Sequence, residues 1–344
     1  MTTPTTTSAM TDPDDACAAA IRQLHDASAH VEELSVTLYN NDIHVEGCVS
    51  EGPQHTFKTN VLEEHDSGYD QVMAAIGQML ERDLPRLSKF SIDNRAGLMN
   101  PFPQLWRGLA ANRTLKKVTL NNILVPNGPD TSLFLAKLAV ESFTIAGCLF
   151  QEDSYVSFCE GIESSPMKHL DIGWSTLAEE DDSWGTFWSS LEHGTTHLES
   201  LIVSSRFNSV APAIERFLTN NTTIQKLCLS EFLDHRDNVA FAGALGRSLA
   251  VNTTVKRLEL LASYQPGRGP SQEVRIHFLF TEGPSQNASI ESIRVDVTTR
   301  IEATDALTGG LEQMMRNRAR TVGHDTSDDT DTNVVLKELE VVHP

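Results

Sequence analysis

The stretch Asn221-Thr222-Thr223-Ile224-Gln225-Lys226-Leu227-Cys228-Leu229 decides the fold, because the chain writes its pattern again and again. Its kernel is Ile224-x-x-Leu227-x-Leu229, with apolar residues spaced three and then two. The pattern returns as Asn252-Thr253-Thr254-Val255-Lys256-Arg257-Leu258-Glu259-Leu260. It occurs earlier from Asn112 to Leu120 and later from Asn287 to Val295. In all, ten such triplets begin at Val31, Leu87, Leu115, Val140, Met167, Leu198, Ile224, Val255, Ile290 and Leu336. From Leu87 to Ile290, seven steps cover 203 residues, a mean of 29. Such periodicity marks stacked units, none of which can bury its apolar face alone. Between Val31 and Leu87 the gap is 56 residues, about two periods, so one unit there has degenerated or been replaced.

Each triplet reads as a strand. Its last two apolar residues lie two apart and share one face, while the residues between them point the other way. The segments from Trp106 to Ala111, Ile214 to Leu218 and Ala242 to Leu249 carry apolar residues at helical spacing. Each of these runs stops at a polar turn before the next strand. The succession of helix, Asn-x-x-Leu and strand resembles the ribonuclease-inhibitor-like class of leucine-rich repeats, from about Ala16 to the C-terminus. The period fits that class, whose repeats run to roughly 20–29 residues. The resemblance implies an α/β leucine-rich-repeat solenoid: a horseshoe with a parallel sheet on its concave face and helices on its convex face.

Three regions follow from the register. Residues 1–11, rich in Thr and Pro, read as a disordered tail. Residues 12–86 read as a capping helix, capped by Thr11 or Asp12 with Pro13 at its first position, and irregular first repeats. Within them Leu34, Val36 and Leu38 alternate, Asn40-Asn41-Asp42 reads as a turn, and Ile43 and Val45 alternate again, which allows a hairpin in place of a regular repeat. Residues 71–82 restore helical spacing. Residues 87–344 read as the regular array, interrupted by a loop near residues 264–269 and a disordered acidic insertion at about 319–333.

Composition bounds the function. The formal net charge of −20 argues against wrapping nucleic acid or an anionic membrane, where neutralising phosphate dominates affinity. No apolar run reaches the length of a membrane span. Five cysteines without a CxxC pair imply reduced thiols in an intracellular protein, cytoplasmic or nuclear. Asn112, Asn220, Asn221, Asn252 and Asn287 each open a glycosylation-type triplet, but all fall at the recurrent turn, where a structural role is expected. No P-loop, GxSxG, HExxH or dinucleotide motif is present, so no catalytic residue, cofactor or metal site is expected.

The expected activity is therefore binding of another protein, through the concave sheet and the repeat loops that this class of repeat generally uses. Solvent-facing strand positions place Lys226, Arg257 and Arg294 on successive repeats, with Lys89 and Lys117 as a smaller second patch. This basic strip would receive an acidic segment of a partner. The tryptophan cluster beside the acidic run at residues 179–182 has two readings: as core, Trp188 and Leu191 fit helix slots and Trp174 the end of a strand, whereas Trp184 has no obvious slot, which makes Trp174 and Trp184 candidate contacts. The alternative is a GTPase-activating protein, since the Ran GTPase-activating class resembles this kind of repeat. In that reading Arg95, in the loop after the strand at residues 90–92, would reach the nucleotide.

Overall fold

The computed structural model describes residues 31–39, 42–48, 55–60, 67–82, 84–97, 101–173, 175, 181–194, 197–204, 211–230, 239–262, 289–297 and 338–342. The expected tail, capping helix, loop at 264–269 and insertion at 319–333 lie outside them, as does Trp174. The chain is an α/β protein whose strands run mostly parallel. It divides into two compact units, Met1–Leu135 and Ala136–Pro344. The repeat register does not announce that boundary.

In the first unit the elements are β1 (Glu33–Leu38), β2 (Asp42–Cys48), β3 (His55–Asn60), α1 (Ser67–Glu81), β4 (Lys89–Asn94), α2 (Pro103–Ala111), β5 (Lys117–Asn121), β6 (Leu124–Val125) and α3 (Pro129–Ala136). The sheet order is β5-β4-β1-β2-β3. β1 pairs in parallel directly with β4, Val36 opposite Ile92, so the long gap before Leu87 is a single step across the sheet. The extra residues return as β2 and β3, antiparallel on the other side of β1, followed by α1. The alternation that allowed a hairpin thus builds one, with Leu34, Val36, Leu38, Ile43 and Val45 all buried. Helices α1 and α2 touch through their backbones: a Cβ added to Gly77 would stand 2.1 Å from the Gln104 carbonyl oxygen.

The second unit contains β7 (Ser142–Ala146), β8 (Leu149–Phe150), α4 (Glu152–Ser164), β9 (His169–Gly173), α5 (Asp181–Gly194), β10 (Ser200–Ser204), α6 (Ala211–Asn220), β11 (Lys226–Ser230), α7 (Val239–Val251), β12 (Arg257–Ala262), β13 (Ser292–Val297) and β14 (Glu338–Val342). Its sheet runs β7-β9-β10-β11-β12-β13-β14, every neighbouring pair parallel. Equivalent triplet residues meet across the strands, so Phe143, Leu170, Leu201, Leu227, Leu258 and Ile293 form one buried row. The covered side continues into the helices through an aromatic series. Phe158 stacks on Phe187, Phe187 meets Trp188 edge-on, and Trp188 tilts against Phe217, with centroids 5.4–6.4 Å apart.

A recurrent polar turn joins helix to strand at Asn112, Asn221 and Asn252. Asn252 is 3% exposed. Its side-chain oxygen accepts the Thr254 and Val255 N–H groups at 2.9 and 2.8 Å, and its amide donates to the Leu218 carbonyl of the preceding repeat at 2.7 Å. Asn112 makes the same set, with Leu80 as acceptor, and Asn221 accepts Thr223 and Ile224 N–H. The expected structural role of these three asparagines is what the turn displays, since their polar atoms face backbone. Beyond each turn two consecutive N–H groups share the carbonyl of the preceding repeat: Lys256 and Arg257 on Gln225, Gln225 and Lys226 on Glu199. Among the described residues, no helix is long and apolar enough to cross a membrane.

Candidate functional site

The other side of the second sheet carries two mostly polar rows. Register places Ser142, His169, Ser200, Lys226, Arg257, Ser292 and Glu338 in one, and Thr144, Asp171, Ile202, Cys228, Glu259, Arg294 and Glu340 in the next. Adjacent strands are about 4.8 Å apart, so neighbours in a row interact directly.

This arrangement corrects the expected basic line. Lys226 and Arg257 are register partners, but Arg294 lies in the other row, opposite Glu259. Lys226 Nζ is itself tied to Glu259 Oε1 at 2.8 Å. Lys226 and Arg257 thus sit side by side, whereas Arg294 lies between Glu259 and Glu340, so the three cations do not form one line. Arg257 is exposed and forms no ion pair with a described residue. Triplet position tells which face a residue takes. It does not tell which neighbour neutralises it.

Between the charged groups lies a less polar stretch. Ile202 is half-buried on this face, and Cys228 beside it is 2% exposed although its position faces outward. Burial, reinforced by the Glu259 carboxylate, pushes the Cys228 thiol up to about 12, so it remains protonated and unreactive. Asp171, half-buried on the other side of Ile202, accepts no hydrogen bond from a described residue. Burial holds its carboxyl above the usual carboxylate range, against the smaller opposing field of Lys226. Asp171, Ile202 and Glu259 are the residues that reading for basic side chains passes over. The available signal was their shared place in the second outward row.

In the first unit Lys89 and Lys117 are register partners and both exposed. Lys89 bonds Glu33 at 3.2 Å, and beside this pair Ser91 donates to Ser35 at 2.9 Å. Arg95 follows β4 with its Nε on Asp93 at 2.7 Å and its guanidinium 5.8 Å from the Tyr39 ring centroid. Asp93 raises the Arg95 pKa further. Reaching a nucleotide would require breaking these contacts.

Trp184 corrects a second expectation. It is only 9% exposed and meets Phe187 edge-on at 5.5 Å, so it belongs to the aromatic core of α5. It precedes Trp188 by four residues and so shares its helix face, a slot the leucine register does not reveal. A shallow cavity of about 470 Å³ opens at the start of the strands, lined by Pro166, Lys168, His197, Glu199 and Gln225 with the turn residues Thr222 and Thr223. Among the described residues, no three His, Cys, Asp or Glu side chains converge in a way that could hold a metal ion.

Compared with known proteins, the chain matches no family model and no curated sequence.

Proposed function

We propose that the chain is a leucine-rich-repeat solenoid of the ribonuclease-inhibitor-like class, with its sheet concave and its helices convex. It acts as a non-enzymatic interaction module that docks another protein on the uncovered sheet face and adjoining repeat loops. One observation carries the reading: in register, strand after strand buries the same positions and sets two ordered, mostly polar rows on the opposite face. Stacking strands and turn asparagines fix those rows before any partner arrives, and a preorganised surface loses little entropy on binding. The mixed charges suit specificity more than raw affinity. An acidic partner segment has Arg257 as its clearest anchor, since Lys226 already holds Glu259.

Cross-linking followed by mass spectrometry would identify the strongest cellular binder. Its affinity would then be compared for wild type, the face variant Ser200→Tyr/Arg257→Glu, and Val156→Arg on the exposed side of α4. The expected result is a loss of about tenfold or more for the face variant and none for Val156→Arg. The reverse pattern would move the binding surface to the helices.

A further inference from the structure

Asp171 is the group on the uncovered face whose chemistry is left open. Its carboxylate is half-buried yet accepts no hydrogen bond from a described residue. A carboxylate that loses water without gaining donors is disfavoured in its charged form, and the raised Asp171 pKa has that cause. The nearby cation, Lys226, is committed to Glu259. Beside Asp171 in register lies Ile202, and beyond it the buried Cys228. Acid, apolar side chain and thiol thus follow one another over about 10 Å of sheet, two strand spacings.

This geometry points to a subsite for a basic side chain: we infer that a partner protein inserts a lysine or arginine here, its charged head on Asp171 and its aliphatic stem along Ile202. Long cationic side chains carry apolar stems that cover such surface while the head seeks polar partners. The head would supply donors that no described residue gives Asp171. A chain of net charge −20 attracts basic partners over long range and repels acidic ones. The inference rests on the sheet face being the binding surface. It differs from the acidic-segment expectation in the sign of the partner's charge at this point.

A random dodecapeptide display library panned against the full chain tests it. Enriched peptides are expected to carry Lys or Arg beside an apolar residue. Their affinity should fall about tenfold with Asp171→Asn and stay unchanged with Glu160→Gln, which removes an equal charge from the exposed side of α4. Retained thermal stability of Asp171→Asn would show that the loss is not unfolding. Peptides that lose affinity with Ser200→Tyr/Arg257→Glu but ignore Asp171→Asn would overturn the basic subsite and leave the sheet-face reading standing. Peptides indifferent to both variants would overturn both. Enriched peptides without basic residues, or no enrichment at all, would overturn the subsite.

Discussion

At the scale of single residues, position within the triplet separates side chains that hold the fold from those that do not. Leu227 is fully buried at the meeting of three strands, whereas Lys226, one residue before it, lies on the open face. Leu227→Ala should cost about 2–5 kcal/mol, from lost burial and the cavity left behind. Lys226→Ala removes a half-exposed ion pair and should cost no more than about 1 kcal/mol. Urea midpoints of the two variants would check this, and equal shifts would contradict the assignment of faces. Asp171 gives a pH-dependent test. Its folded pKa lies above the ordinary 3.8, so the native state holds this proton more tightly than the unfolded chain does. Stability from this group is therefore full below the ordinary value and is lost as pH rises through the folded value. Asp171→Asn should raise stability at neutral pH and leave it unchanged in strong acid, as thermal melts at several pH values would show. A carboxylate that weakens the fold is understandable at the position proposed above for binding. The sequence displayed Asp171 in its outward row but could not show its surroundings, because burial depends on side chains brought alongside by the sheet, such as Thr144 and Ile202 on the adjacent strands.

At the scale of elements, strands were legible because each is short, repeated and in phase: β4, β5, β7 and β9 to β14 all fall on triplets. Helices were legible in their middles, and their ends are set by contacts. The aromatic slot of Trp184 and the contact between α1 and α2 escaped, since both depend on how neighbouring helices meet. The helix contact has a direct consequence. Gly77 and Gly108 each face the other helix's backbone, and a Cβ at Gly108 would stand 2.4 Å from the Gly77 carbonyl oxygen. Gly108→Ala should therefore cost at least the roughly 1–3 kcal/mol typical of overpacked cores. Gly185 lies within α5 and has nothing within 4 Å of its added Cβ. Gly185→Ala should stabilise by up to about 1 kcal/mol, the propensity difference between the two residues in a helix. Opposite signs for the same substitution, read from chemical denaturation, would locate the backbone contact. A stabilised Gly108→Ala would mean that the helices do not meet there.

At the scale of the whole molecule, a repeat reading has an energetic meaning that a compact α/β core does not share. In an array each unit touches only its neighbours, so stability is close to a sum of unit terms and nearest-neighbour interfaces. Across the 56-residue step from Val31 to Leu87, β1 and β4 still pair as neighbours, and the inserted β2 and β3 leave their register intact. Sequence alone could not choose between a lost repeat and a replaced one, because both leave the same gap. The same locality sets the last prediction. Leu227 and Leu258 are register partners on adjacent strands, whereas Leu227 and Ile293 are two strands apart. Leu227→Ala with Leu258→Ala shares one cavity and should show a coupling of about 0.5–3 kcal/mol. Leu227→Ala with Ile293→Val, separated by about 9.6 Å of sheet and linked only through Leu258, should show a smaller coupling. Double-mutant cycles by equilibrium denaturation would measure both. Coupling that fails to fall from the first pair to the second would mean that the strands share one globally cooperative core, and the solenoid reading would have to give way.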